Sequence, residues 1–332
     1  MTTAQPTKPP HPLLAGPILG TLLRLSWPNM IAMLATALVA IAETAYVGIL
    51  GTVPLAALAL VFPMVMLQQM MSAGAMGGGI SSAISRSIGA GDRDRAASLA
   101  THAAVIGAIG GIAFTILFLA FGRAIYGTLG GSGAVLESAL VYSNTVFLGA
   151  TGIWLANTFA SIIRGTGNMR VPSLALFAIA ALQIVVGGAL GLGLGPIPRL
   201  GLVGVALGQV IAFTSGAAFL GWFLLSGRGA LTLSFRRSAL DRTMFADILR
   251  VGAVACLSPV QSVLTVLVMT ALVARFGTEA LAGYGIGARL EFLLVPISFA
   301  IGVASVPMVG MAIGAGDVAR ARKTAWSAGA VS

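Results

Sequence analysis

Between Arg24 and Arg86 the chain carries one charged side chain, Glu43, in a stretch otherwise made of apolar and small residues. A bilayer core about 30 Å thick is crossed by about 20 apolar residues of helix. Helix is also the conformation that satisfies every backbone N–H and C=O of an open chain in hydrocarbon. The spacing of charges therefore works as a ruler along the whole sequence. It predicts spans over 25–49, 54–86, 97–121, 138–162, 171–194, 202–225, 251–274 and 280–312, with a ninth opening near Thr324. The expected fold is an all-α integral membrane protein, a polytopic helical bundle.

Composition excludes the soluble alternatives. Charged residues are 8% of the 332 positions and apolar ones 58%, against about 25% and 45–50% in soluble domains. The net charge of +10 does not indicate nucleic acid, because the Lys and Arg residues punctuate apolar runs instead of clustering on a polar domain. One cysteine, Cys256, and two histidines, His11 and His102, cannot assemble a disulfide framework or a Cys/His metal cluster. No metal or cofactor is expected. Residues 5–12 form a Pro-rich leader with the composition of disorder. The triplet Ala40-Ile41-Ala42 has the look of a signal cleavage site, but the apolar run continues beyond it and many similar runs follow.

Cytoplasmic loops carry the excess of Lys and Arg. With the N-terminus inside, all of the nineteen basic residues except Arg123, Arg199, Arg275 and the intramembrane Arg289 fall on the cytoplasmic side. A multi-pass protein of the cell inner (plasma) membrane with a cytoplasmic N-terminus is expected.

The sequence also repeats itself. Gly51-Thr52-Val53-Pro54-Leu55-Ala56 returns as Gly277-Thr278-Glu279-Ala280-Leu281-Ala282, and Ser87-Ile88-Gly89-Ala90-Gly91-Asp92 as Ala312-Ile313-Gly314-Ala315-Gly316-Asp317, at shifts of 226 and 225 residues. Transporters are commonly built from such duplicated halves. Six spans is an even number, so both copies enter the membrane from one side and the repeat is parallel. The expected division is a leader, 1–24; an N-lobe of spans 1–6, 25–225; a linker, 226–250; and the start of a C-lobe, 251–332. Residues 324–332 open a helix too short to cross, which reads as a fragment of a twelve-span protein. Spans 2 and 8, each about 33 residues or about 50 Å, are weakened by Pro63, Gly74, Gly77, Gly78 and Gly79 and by Pro296, Gly302 and Pro307. Such matched elements are either moving, substrate-lining helices or helices packed closely through glycine.

The glycine loops do not read as phosphate-binding motifs. No Lys-Ser/Thr follows and no strand precedes. Gly89-Ala90-Gly91 and Gly314-Ala315-Gly316 read as helix C-terminal glycines, with Asp92 and Asp317 capping the next helix. Arg164-Gly165-Thr166-Gly167-Asn168-Met169-Arg170 reads as a tight cytoplasmic turn.

A charge inside the bilayer costs a few kcal/mol or more and usually serves an ion or proton pathway. Glu43, in the outer half of span 1, is therefore the leading candidate for cation coupling; the plain alternative is an interfacial or neighbour-paired Glu. Arg289 and Glu291 are two apart on a helix and point to different sides, so either could partner Glu43 or could stabilise packing. The amides Asn29, Gln68, Gln69, Asn157, Gln183, Gln209 and Gln261 are candidates for cavity lining or for plain interhelical hydrogen bonds. The site expected from these residues is Glu43 for coupling, with Asn157, Gln183, Gln209, Gln261, Ser262, Arg289 and Glu291 about the substrate cavity.

The run Glu43-Thr44-Ala45-Tyr46-Val47-Gly48-Ile49-Leu50-Gly51, the repeated Gly-Ala-Gly-Asp loops, Arg164-Gly165-Thr166-Gly167-Asn168 and Gly201-Leu202-Val203-Gly204-Val205-Ala206 together resemble multidrug and toxic compound extrusion (MATE) proteins, from about residue 20 onward. The resemblance implies two six-helix lobes around a cleft, alternating access, and export of organic cations, drugs or metabolites in exchange for protons or sodium ions. It implies a monomer, no cofactor and no enzymatic reaction. Glu43 stands where the family usually has an acidic residue in helix 1. Two departures stand out. Where DinF-type members have Asn and Asp one turn apart in helix 5, this chain has Gln183 and Gly187; where NorM-type members have Glu in helix 7, it has Gln261 and Ser262. The runner-up expectation is a lipid-linked saccharide flippase of the same superfamily, which would need a basic central cavity. Alternatives of another class are a structural membrane protein or channel and an intramembrane enzyme; the enzyme would need a nucleophile and base or metal ligands at mid-depth, and His102 is expected near the cytoplasm, with Asp92 and Asp94 its nearest acids.

Overall fold

The computed structural model describes residues 12–196, 198–233, 240–274, 276 and 298–332. Every regular element among them is helical. A short turn, α1 (Pro12–Ala15), leads into α2 (Ile18–Leu50). Next comes one long rod made of α3 (Thr52–Gln69), a π-helical segment Met70–Met76 and α4 (Gly77–Gly89). There follow α5 (Arg93–Thr128), α6 (Gly133–Leu148), α7 (Ala150–Gly165), α8 (Arg170–Leu192) and α9 (Leu202–Leu225). The second half contributes α10 (Arg242–Ala255), α11 (Leu257–Ala274), α12 (Ser298–Gly314) and α13 (Val318–Val331). Six helices or rods among the described residues are long and apolar enough to cross a membrane, and the bent pair α6–α7 makes a seventh. The expected eighth span falls partly outside the described residues, which include its second part as α12.

The helices overrun the expected spans at their ends. Helix α2 begins at Ile18, after an extended Pro17 at its N-cap, not at residue 25. Helix α10 begins at Arg242, inside the stretch expected as linker, and α13 begins at Val318, ahead of Thr324. A ruler of charge-free residues measures hydrocarbon thickness, and a helix capped in water can extend past it with its Arg and Lys side chains solvated. Residues 5–11 of the Pro-rich leader lie outside the described residues, while Pro12 opens α1.

Span 4 is not straight. Helices α6 and α7 meet at Gly149 with a bend of 46°, and a Cβ at Gly149 would lie 2.6 Å from the side chain of Val210 on α9. Glycine with a neighbour pressed against its backbone is a common origin of a sharp kink. Around that bend lies the aromatic core of the first half. Phe118 stacks on Phe147 at 3.8 Å between centroids, Phe114 meets Trp154, and the Tyr126 hydroxyl lies 2.7 Å from the Ser143 Oγ. Outside this core, Leu174 is 69% exposed and Val185 67%. Large apolar side chains turned outward on span after span are the surface a bilayer covers.

The duplication is visible in hydrogen bonds. In the first loop the Asp92 N–H donates to the Ser87 carbonyl at 2.9 Å, and the Asp92 carboxylate accepts from the Arg95 N–H at 2.9 Å. In the second, Asp317 N–H donates to the Ala312 carbonyl at 2.9 Å, and its carboxylate accepts from the Arg320 N–H at 2.9 Å. Gly91 and Gly316, with φ of 81° and 80°, turn the two loops. These are the C-terminal glycines and N-caps expected from sequence.

The two copies also pack on each other reciprocally. A Cβ on Gly89 would overlap the backbone of Met311, and a Cβ on Gly314 would overlap the backbone of Arg86. Both pairs are related by the same 225-residue shift. Helices α4 and α12 therefore cross at a local pseudo-two-fold axis, where only glycine lets the backbones meet. At the same end of the bundle, Arg86 and Arg95 reach Asp247 on α10 at 3.5 and 2.6 Å. Arg320, the repeat equivalent of Arg95, donates to the carbonyls of Leu13 and Gly16 at 3.0 and 2.6 Å. Each half thus clasps the beginning of the other.

Candidate functional site

Helix α8 packs between α2 and α9, and its small residues set how closely. A Cβ on Gly208 of α9 would meet the Gly187 backbone, and a Cβ on Gly188 would lie 2.9 Å from the Tyr46 ring of α2. Glu43 stands one turn before Tyr46, and Gln183 one turn before Gly187. The close approach brings them together: Gln183 Nε2 donates to Glu43 Oε1 at 2.8 Å. Gln183 is buried and Glu43 half-buried. Tyr142 of α6 lies within electrostatic range of the carboxylate. No cation forms an ion pair with Glu43 among the described residues. Gly187 is buried where α8 meets α9, so the position at which a second carboxylate was looked for is occupied by a helix contact.

The other expected site residues divide. Asn157 of α7 donates to Gln69 Oε1 at 3.1 Å and to Ser72 Oγ at 2.8 Å, tying α7 to the π segment. Gln68 Nε2 donates to the Ala150 carbonyl, and Asn29 Oδ1 accepts from Ser173. These are plain interhelical bonds. Gln209 is buried with its Oε1 unpartnered, and Gln261 and Ser262 are exposed on α11. Arg289 and Glu291 lie outside the described residues.

A cavity of about 680 Å³ opens between the two halves, within the size range of small-molecule sites. One wall is the π segment and the start of α4, where Gly74, Gly77 and Gly78 leave room; the facing wall is α12, with Phe299 and Val303. Ser81, Ser161 and Arg164 complete it. Glu43, Asn157, Gln183, Gln209, Gln261 and Ser262 do not line it. Arg164, expected in a cytoplasmic turn, is instead 3% exposed at the end of α7. The helix continues to Gly165 and carries the arginine inside, because the tight turn begins only at Thr166. The sequence signal for this wall was the small-residue stripe at 74, 77, 78 and 81, one face of a helix, which points at a space and not at a charged group.

His102 lies near the start of α5, the end of span 3 at which it was expected, but its ring meets backbone groups and not Asp92 or Asp94. It is fully buried on α5, its Nδ1 2.8 Å from the Ser98 carbonyl, its Nε2 accepting from the Asp241 N–H at 2.9 Å, its ring against Phe245. It fastens the start of α10 to α5. No group of three or more His, Cys, Asp or Glu side chains among the described residues could hold a metal ion.

The MatE family model matches residues 28–188 and 255–330, most of the chain and both copies of the repeat. The chain belongs to this family. Its members are transporters and not enzymes, and its homologues are multi-pass membrane proteins. This MatE protein is 27% identical over 317 residues to a protein of Shewanella oneidensis MR-1 named FAD transporter, a match over 94% of this chain and 69% of that one. It is 25% identical over 276 residues to the Staphylococcus aureus multidrug export protein MepA, covering 82% of this chain and 60% of the relative. Among solved structures, it superposes with a TM-score of 0.89 and 28% identity on an outward-facing multidrug resistance MATE family transporter of the MOP superfamily. The TM-score is also 0.89, with 27% identity, against a MOP superfamily transporter from Pyrococcus furiosus, described as having a binding pocket of reversed polarity. In both cases 97% of this chain and 71% of the other are covered.

Proposed function

We propose that this MatE protein is a secondary antiporter that exports small organic compounds in exchange for protons or sodium ions by alternating access, with Glu43 as the coupling residue. The observation that carries this is the Gln183–Glu43 hydrogen bond. A lone acid inside a span, held by an amide that can either donate to the carboxylate or accept from the carboxylic acid, is a group that can be occupied and vacated without losing its partner. The proposed division is that of the duplication, an N-lobe of 25–225 and a C-lobe beginning at 251, with the N-terminus cytoplasmic as the basic residues indicate. In the proposed cycle, protonation or sodium binding at Glu43 from outside releases substrate, and loss of the ion inside restores affinity. One charge crossing 100 mV supplies about 2.3 kcal/mol, which corresponds to roughly fifty-fold accumulation.

The relatives suggest two substrate classes, the dinucleotide in the S. oneidensis protein's name and the varied drugs in the S. aureus protein's. The test is efflux from proteoliposomes holding an imposed proton or sodium gradient. Glu43→Gln keeps the bond geometry but cannot ionise, and it is expected to lower gradient-driven efflux at least tenfold while substrate binding persists. Unchanged efflux in that variant overturns the assignment of Glu43.

A further inference from the structure

The inter-lobe cavity has a sign opposite to that of an organic-cation site. Arg164 is buried in its wall, and its Nε has no hydrogen-bond partner. The guanidinium makes no ion pair with any described residue, since Asp247, the acid that reaches α4 and α5, is already held by Arg86 and Arg95. Ser81, 4% exposed and on the same wall, also has an Oγ without a partner. Among the described residues no carboxylate lines the cavity, and the rest of its described wall is glycine, alanine, valine, phenylalanine and serine. A buried cation is ordinarily paired. Here the arginine is one of the residues lining an open space, and its side chain ends in a planar fork that matches carboxylate and phosphate oxygens.

We propose that this cavity is the binding site for the oxyanion of a soluble organic anion, a phosphate ester or a free carboxylate, with Arg164 as its principal ligand. The proposal deepens the transport reading by giving the substrate a negative group. It rests on that reading only for the direction of movement, since binding at Arg164 is measured without transport. The phenyl ring of Phe299, against Gly74 on the opposite wall, offers a flat apolar surface for the rest of such a molecule.

Equilibrium binding of radiolabelled pyrophosphate to the purified full chain, in nanodiscs of zwitterionic lipid, tests this. Citrate and dioctanoyl phosphatidylglycerol serve as competitors, and ethidium as the cationic control. Saturable pyrophosphate binding that weakens with salt is expected. Arg164→Gln should weaken it about tenfold or more, the loss expected for a hydrogen bond to a charged group. Displacement by citrate but not by phosphatidylglycerol identifies a soluble anion; displacement by the lipid alone overturns the soluble-substrate proposal. Ser81→Asp, which puts a carboxylate inside the same cavity, should abolish pyrophosphate binding while leaving thermal stability unchanged or raised, and it covers the case in which Arg164→Gln does not fold. Equal pyrophosphate affinity in wild type and Ser81→Asp, or saturable binding of ethidium alone, overturns the proposal. Loss of gradient coupling in Glu43→Gln with pyrophosphate binding retained would leave this inference standing and concern only the coupling mechanism.

Discussion

At the scale of single residues, what matters is which polar groups find partners. Glu43 was legible from sequence because it interrupts the longest charge-free stretch, but nothing in one dimension said that Gln183, 140 positions away, would donate to it. Arg164 was misplaced for the same reason, since a turn motif shows where the backbone reverses and not which way the last helical side chain points. A third group, Asp241, makes a prediction outside the bilayer. Its carboxylate accepts from the Thr243 hydroxyl at 2.7 Å and from the Thr243 N–H at 2.9 Å, capping α10. The hydrogen bond from the Thr243 side chain, then that from its backbone, holds the Asp241 carboxyl below its ordinary range. A depressed carboxyl stabilises the fold above its unfolded-state pKa and stops doing so as pH falls through its lower folded-state value. Protection of the first amides of α10, taken relative to their intrinsic exchange rates, is therefore expected to fall as the pH is lowered into the acid range, and Asp241→Asn should flatten that dependence.

Elements were read correctly in kind and order, and less well in extent and shape. The weakness foreseen in span 2 is real, but it lies at the π segment Met70–Met76 and not at Pro63, which stays inside α3. π segments occur often at functional sites, and this one both lines the cavity and receives Asn157. Of the span 2 glycines, Gly74, Gly77 and Gly78 border the open cavity, but Gly77 also packs on the Ser161 side chain and Gly79 on the Gly252 backbone of α10, just as Gly89 and Gly314 bring two backbones together. Gly314→Leu should therefore cost about 3 kcal/mol, the upper end of overpacking, because its neighbour is backbone that cannot rotate away. Gly78→Ala, with no atom within 4 Å of the added Cβ, should be close to neutral. Thermal unfolding of the two variants in detergent separates these outcomes.

For the whole molecule, the reciprocal clasps at one end decide how firmly the halves are held. Asp247 gathers Arg86 and Arg95, and its side chain is 32% exposed, so solvent screens the pairs and each contributes about 1 kcal/mol or less. Asp247→Ala is expected to leave folding nearly intact yet open this end more often. Faster labelling of a cysteine placed at Gly302 on the cavity wall would register it, and unchanged labelling would show that the clasp does not govern access. Orientation makes a further prediction: a cysteine at Ser226 should be protected from membrane-impermeant reagent in whole cells, and one at Gly130 should react.

The sequence alone determined that the chain is helical, membrane-spanning and duplicated, because hydrocarbon thickness, the cost of buried charge and a repeated loop are all written in one dimension. It also supplied the two capping aspartates, whose roles depend on near neighbours, and singled out Glu43 as an isolated intramembrane acid. Only the tertiary structure decided that Gln183 holds Glu43, that Gly89 and Gly314 meet at the pseudo-two-fold, and that Arg164 turns inward to line the inter-lobe cavity. Those outcomes depend on which helix faces touch, and in a chain this apolar nearly every face could have been the one that packs.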